Sequence, residues 1–368
     1  MRAAVLYGNH DIRCTEIPTP AVRPGTVRLR VRACGICASD LPRVFAGGAH
    51  SYPIVLGHEF AGTIDAVGDG VTSLRPGDRA AAVPLIPCGQ CPDCRAGRFS
   101  LCRHYTFLGS RIQGGFAEYA VLPEANAVPM ADHLSFAQGA LFEPCSVARH
   151  AVGRSGLRRG STAVVLGGGT VGSFAAQWAR LFGAERVVVF GRGARRMEAV
   201  RRLGVDAVRS FAEAGWLENA LAETPGGGGF DVVFDAAGVP ETRSAALRLA
   251  AGRGTICLIG TPIADVCFTR QEWELIGRRE LHLVGSWMSG GTPWPGSDWT
   301  ETAACFADGR IRYDEDLFGA VFPLTQVDRA FAMFEKPRSV TGRILLTMDG
   351  EEPESGQEET GTRCPDDE

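Results

Sequence analysis

From Ala163 the chain runs a short apolar strand, Ala163-Val-Val-Leu166, into the turn Gly167-Gly-Gly-Thr-Val-Gly172 and then a helix over 171–182 stopped by Gly183. Glycine spacing alone is weak evidence, because glycines also mark flexible turns. A strand before it and a helix after it change the reading. In that context the glycines let backbone approach a pyrophosphate, and the helix N-terminus offsets its charge. The alternation then continues with a strand over 186–190, a helix over 194–203 closed by Gly204, and a strand over 205–208. Further strands at 231–235 and 254–259 flank a helix near 242–249. Repetition of this kind predicts a parallel, doubly wound sheet.

Upstream the pattern differs. Apolar residues from Val27 to Val31 alternate with Arg28, Arg30 and Arg32, which describes a half-buried strand. Strands and Gly/Pro-rich turns continue to about Pro129. At 368 residues two domains are the default. The expected class is therefore α/β. A β-rich domain spans 1–149, a dinucleotide-binding domain spans 150–285, and 286–348 return to the first domain through a strand over 343–347. Residues 349–368, acidic and nearly free of apolar side chains, are expected to be disordered. The Pro225-Gly-Gly-Gly-Gly229 run follows no strand and reads as a surface loop.

A net charge of −4 gives no electrostatic footprint for nucleic acid. No run approaches the ~18 apolar residues of a membrane span, and residues 1–10 read as a first strand, not a signal peptide. A cytoplasmic protein is expected. Twelve cysteines in such a chain favour metal or core roles over a disulfide framework. Cys14, Cys34, Cys145, Cys257, Cys267, Cys305 and Cys364 lack ligand spacing, and most are expected to be small buried hydrophobes.

The series Cys88-x2-Cys91-x2-Cys94-x7-Cys102 is regular enough to wrap one tetrahedral zinc ion, with Pro87, Gly89, Pro92 and Gly97 supplying the turns. No helix with clustered basic residues follows, so a structural site is expected and not a nucleic-acid finger. A second set is more dispersed. Cys37 follows Gly35 at a strand end, His58 and Glu59 come 21 residues later, and Glu143 precedes the doubly wound part. Singly each is weak, since a lone His or Cys is more often core. Together they offer the mixed N, S and O donors of a catalytic zinc that keeps one position open.

The strand over 187–190 ends in Gly191, where an NAD site would place Asp or Glu to bind the ribose hydroxyls; Arg192, Arg195 and Arg196 follow. Glycine leaves room for a 2′-phosphate and arginine pairs with it bidentately, so NADP is expected over NAD. The cofactor set is Gly167, Gly169, Thr170, Val171, Gly172, Gly191, Arg192, Arg195 and Arg343.

Gly35-Ile-Cys-Ala-Ser-Asp40, Gly57-His-Glu59, the four-cysteine lobe, Gly114-Gly-Phe-Ala-Glu-Tyr119 and the glycine turn occur in an order that resembles the zinc-containing medium-chain alcohol dehydrogenases. Glu143-Pro144 resembles their polyol branch. The strings Ser39-Asp-Leu-Pro-Arg-Val-Phe45 and Gly285-Ser-Trp-Met288 resemble its polyol-phosphate members. The resemblance implies a GroES-like fold for the β-rich domain and two zinc ions per chain. It also implies hydride transfer between a secondary alcohol of a polyol or polyol phosphate and NAD(P), in a homodimer or homotetramer. Carried over, Cys37 and His58 bind the catalytic zinc, Glu59 and Glu143 share the remaining role, and Ser39 takes the substrate proton. A His that completes the proton relay in many relatives is Pro42 here. Arg43, His50 and Arg111 are candidates for a substrate phosphate, and Trp287, Trp294 and Trp299 for a sugar-sized pocket, although core packing is the commoner role for such residues. The alternatives are a cyclitol or aminocyclitol dehydrogenase, a zinc-free quinone reductase of the same fold, and a non-catalytic zinc-binding protein.

Overall fold

The computed structural model describes residues 1–335, 340 and 342–348. The tail over 349–368 and Cys364 lie outside the described residues. Two sheets organise the chain. The first has seven strands, and its central member is the long strand Thr26–Ile36. Along it, Val27, Leu29 and Val31 are buried while the arginines between them are not, as the period-two pattern requires. Glu59–Val67 and Tyr119–Pro123 pair with it antiparallel, and so does Arg343–Thr347. Residues separated by about 310 positions thus become neighbours, with Leu345 opposite Gly35. Two C-terminal strands, Phe318–Pro323 and the expected Arg343–Thr347, complete this sheet.

The second sheet has six strands, all parallel, with Thr162–Leu166 near its centre. Its strands read as continuous apolar runs because helices cover both faces. Ala163, Val164, Val165 and Leu166 are all fully buried, and alternate members enter two different cores. The strand Thr162–Leu166 sits where connections leave in opposite directions, and ligands of such sheets bind beyond the C-terminal ends of the strands at that point.

Differences from expectation are local. The strand read as 254–259 begins earlier, as Ala250–Leu258, and turns through Arg253 at φ 61°. Helices Phe142–Arg154, Arg270–Arg278 and Ser297–Ala307 are additional to those expected, and the second starts at a capping box, Thr269-x-x-Glu272, that the sequence displays. The Pro225–Gly227 segment is a short 3-10 turn within the expected surface loop. Cys34, Cys145, Cys257 and Cys305 are buried as expected, Cys14 is intermediate, and Cys267 is exposed. Among the described residues no helix is long and apolar enough to cross a membrane.

Candidate active site

Three strands of the first sheet meet where Gly35, Glu59 and Arg343 lie side by side. Gly35 leaves Glu59 its place: a Cβ would stand 2.4 Å from Glu59 Oε2 and push the carboxylate aside. Just beyond the strand Thr26–Ile36, Cys37 caps the 3-10 turn Ala38–Asp40, and Asp40 folds back so that its Oδ2 accepts the Cys37 N–H at 3.1 Å. His58 occupies the turn before strand Glu59–Val67. That turn is braced by the Gly-Gly-Phe segment, whose N–H groups at Gly114, Gly115 and Phe116 donate to Val55, Gly57 and Leu56. Gly114 permits the approach, since a Cβ would come within 2.2 Å of the Gly57 carbonyl oxygen. The glycine motif is therefore the scaffold that positions His58.

The result is a trio. One ligand atom each from Cys37, His58 and Glu59 lies within 4.8 Å of the others, with His58 and Glu59 buried. His58 Nδ1 and both carboxylate oxygens of Glu59 have no hydrogen-bond partner. Orphaned buried polar atoms are costly unless another group completes them. Thiolate, imidazole and carboxylate are the mixed donors that zinc accepts. Burial alone would pull the His58 pKa down, but Asp40 and Cys37 outweigh it and hold it well above 6.5. Such a concentration of negative charge suits a divalent cation. Arg343 gives Nη1 to the Ile36 carbonyl at 2.8 Å and stands 3.2 Å from Glu59 Oε1. Arg343, expected among the cofactor residues, thus packs directly against the metal-donor trio.

Glu143 is not a member of the trio. It stands in the first turn of helix Phe142–Arg154, close enough for its charge to interact with His58, Glu59 and Arg343. Burial pushes its carboxyl up to about 7, opposed by His58 and reinforced by Glu59. Ser39 is exposed beside the trio, and its Oγ accepts Arg43 Nη1 at 3.2 Å, which leaves the hydroxyl proton free to donate. Pro42 falls in the first turn of helix Leu41–Phe45, where the missing N–H costs nothing. Of the expected substrate residues, only Arg43 touches this site: it also reaches the Ser39 carbonyl at 2.7 Å and Asp40 Oδ1 at 3.1 Å. His50 is exposed, Arg111 stacks on Tyr105, and Trp287 is 52% exposed. Trp299 is core, whereas Trp294 packs edge-on against Phe99 of the cysteine lobe. In the sequence Asp40 is only the last residue of the motif Gly35–Asp40. Its full burial beside His58 makes it the member of the site that sequence reasoning missed.

The four cysteines converge as their spacing predicts. Their sulfurs lie within 4.8 Å of one another, with Cys91 and Cys94 at 3.5 Å and Cys91 and Cys102 at 3.9 Å. Backbone N–H groups of Cys94 and Arg103 aimed at Cys91 lower its pKa to about 6, so it is ready to act as a thiolate ligand.

At the glycine turn, Gly167 has φ 115°, and a Cβ on Gly172 would meet the Gly167 carbonyl oxygen at 1.8 Å. Those two shape the turn, while a Cβ on Gly169 would meet nothing within 4 Å. The open side above Gly169 lies at the N-terminus of helix Thr170–Leu181, an arrangement able to take a pyrophosphate. Thr170 Oγ1 is bonded to Tyr313 OH at 3.0 Å. Strand Arg186–Gly191 ends as predicted, with Arg192 exposed beyond it.

Comparison with known proteins now bears on this geometry. Residues 23–132 match the alcohol dehydrogenase GroES-like domain, and residues 170–308 match the zinc-binding dehydrogenase family. Galactitol 1-phosphate 5-dehydrogenase of Escherichia coli (strain K12) is 38% identical over 94% of this chain and 99% of its own. Sorbitol dehydrogenase of Bacillus subtilis (strain 168) is 35% identical over 71% of this chain and 75% of its own. The crystal structure of galactitol-1-phosphate dehydrogenase from Escherichia coli superposes with a TM-score of 0.87 at 32% identity, covering 94% and 100% of the two chains. A Sinorhizobium meliloti 1021 protein bound to NADP superposes with a TM-score of 0.85 at 30% identity, covering 94% and 98%. The class that fold and site define is the zinc-containing medium-chain alcohol dehydrogenases, and the chain belongs to that family. It is an NAD(P)-linked alcohol dehydrogenase.

Proposed function

We propose that the protein oxidises a secondary alcohol of a polyol or polyol phosphate, or reduces the corresponding ketone, with NADP preferred over NAD. The observation that carries this reading is the convergence of Cys37, His58 and Glu59 with their buried, unpartnered polar atoms, beside Ser39. These three residues would hold the catalytic zinc, and Cys88, Cys91, Cys94 and Cys102 a structural one. A zinc ion in the trio supplies Lewis-acid polarisation of the substrate oxygen. Glu143, a carboxyl whose charge interacts with His58 and Glu59, would share with Glu59 the acidic role at this site. Ser39 receives the substrate proton, and Arg43 fixes its hydroxyl by donating to it. In this reading residues 1–149 and 286–348 carry the metal chemistry and 150–285 the cofactor.

Arg43 also bears on substrate choice. It is a permanent cation within reach of the reacting hydroxyl, the chemistry that a phosphate ester asks for. The relative named for galactitol 1-phosphate supports that choice. NADP is supported by Gly191, by the exposed Arg192 and by the NADP-bound Sinorhizobium protein. Self-association is supported by the edge strand His282–Gly285, where Leu283 is 43% exposed and Trp287 follows at 52%. The deciding experiment is a cofactor-reduction screen pairing NAD and NADP with galactitol 1-phosphate, free hexitols and cyclitols. Turnover of the phosphate ester, lost in Arg43→Ala through a raised KM, is the expected result. Turnover of a cyclitol alone would overturn the substrate assignment.

A further inference from the structure

The three arginines after Gly191 are not equivalent. Arg192 is exposed and has no hydrogen-bond or ion-pair partner among the described residues. Arg196 is half-buried and gives Nη2 to the Val340 carbonyl at 3.2 Å. Arg195 is already engaged: its Nε and Nη2 both reach Asp316 Oδ1, at 3.0 and 2.7 Å. The other oxygen of Asp316 accepts Arg202 Nη2 at 2.6 Å, and Arg202 grips Asp314 through two further bonds of 2.6 and 2.7 Å.

This network crosses between the two halves of the molecule. Arg195 and Arg202 lie on helix Ala194–Arg202, which follows the second strand of the parallel sheet. Asp314 and Asp316 lead into Phe318–Pro323, a strand of the other sheet. A carboxylate from one half is therefore seated on an arginine four residues beyond the strand end Gly191 and in the first turn of the helix that follows.

We infer that Asp316 is a cofactor-selectivity residue: by occupying the guanidinium of Arg195, Asp316 limits the preference for NADP over NAD. The inference rests on the reading that the 2′-phosphate is received at Gly191 and the arginines that follow. A carboxylate and a phosphate compete for the same guanidinium fork. The competition is real because the pair is solvent-exposed, with Arg195 68% and Asp316 37% accessible, and exposed pairs are cheap to break. NAD lacks the competing group and is indifferent to it. Asp316 is also separable from the fold, since Arg202 keeps its bidentate grip on Asp314 when Asp316 is neutralised.

The test is titration of the full-length, zinc-loaded protein with NADPH and NADH, followed by nicotinamide fluorescence, for wild type, Asp316→Asn, Asp316→Ser, Arg195→Ala, Asp316→Asn with Arg195→Ala, and Arg192→Ala. Removing the charge should tighten NADPH by about three- to tenfold and leave NADH within about twofold, with a smaller gain at high salt. The gain should vanish when Arg195 is also removed. An unchanged ratio of NADPH to NADH affinity, a weakened NADPH, or a gain that survives loss of Arg195 would overturn the inference. Arg192→Ala separates the two levels. If it weakens NADPH while the Asp316 variants change nothing, the role of Asp316 alone fails; if it leaves NADPH untouched, the underlying reading of the phosphate site fails as well.

Discussion

The Asp40 carboxylate lies 3.5 Å from His58 Nδ1, and both side chains are withdrawn from solvent. Its Oδ1 also accepts Arg43, and its Oδ2 accepts the Cys37 backbone N–H. One carboxylate therefore braces the Cys37 backbone and the cation next to Ser39, and sets a negative charge beside the His58 ring without hydrogen-bonding it. Carboxylates next to the donor residues of a metal site support their placement.

Asp40→Asn should consequently weaken zinc binding at the trio by about 10- to 100-fold while leaving the four-cysteine site loaded. Competition against a graded series of chelators measures this. Zinc retention equal to wild type would show that Asp40 orients nothing that the metal needs.

Gly191→Asp should move cofactor choice toward NAD, because the new carboxylate would accept ribose hydroxyls and repel a 2′-phosphate. A Cβ at this position meets Met197 Cε at 2.4 Å and Sδ at 2.5 Å. Those atoms are the end of a buried but flexible side chain, so the variant should fold with Met197 repacked. The NADP to NAD ratio of kcat/KM is expected to drop at least about tenfold. A ratio that does not move would contradict the assignment of this strand end.

The cysteine lobe is tied to the rest of the chain at Phe99, whose ring meets Trp294 at 5.1 Å, and at Gly97, where a Cβ would strike Thr292. Cys91→Ser should therefore lower the thermal midpoint by roughly 5 °C or more, together with loss of one zinc per chain. A variant that loses that zinc with an unchanged midpoint would remove the structural role.

Asp298 joins helix Phe142–Arg154 to the loop before helix Ser297–Ala307. It accepts Arg149 at 2.5 Å, His150 at 2.8 Å and the Gly290 N–H at 2.9 Å. Burial raises its pKa, but those three partners outweigh burial and hold it below 3.8. Its stabilisation is thus present above the unfolded carboxyl pKa and fades as pH falls through the lower folded value. Asp298→Asn should destabilise the protein by about 3 kcal/mol at pH 7, and the gap from wild type should close below about pH 4. Urea unfolding across that range tests this, and a gap independent of pH would refute it.

The parts of this account legible in the sequence are those in which the signal is local. The glycine turn, the four-cysteine spacing and the strand alternation at 27–31 each lie within a short window, and the structure reproduces them. The central trio was legible only as scattered residues, because its convergence depends on antiparallel register between strands at 26–36 and 59–67. Long-range polar partners were not legible. Arg343 meets Glu59 across 284 positions, and Arg195 meets Asp316 across 121, with no periodicity to announce either. Helix Phe142–Arg154 was hidden for another reason: a proline in its first turn and small or polar residues such as Ser146 and Ala148 on its buried side blur the apolar stripe that identifies a surface helix.

The most direct test is the zinc content of the purified full chain beside that of Cys37→Ser, by elemental analysis, with turnover measured on the same samples. The account predicts about two zinc ions in wild type, about one in the folded variant, and turnover only in the former. A Cys37→Ser protein that keeps both ions, or that turns over at near wild-type rate, would contradict the assignment of Cys37, His58 and Glu59 as the catalytic metal site.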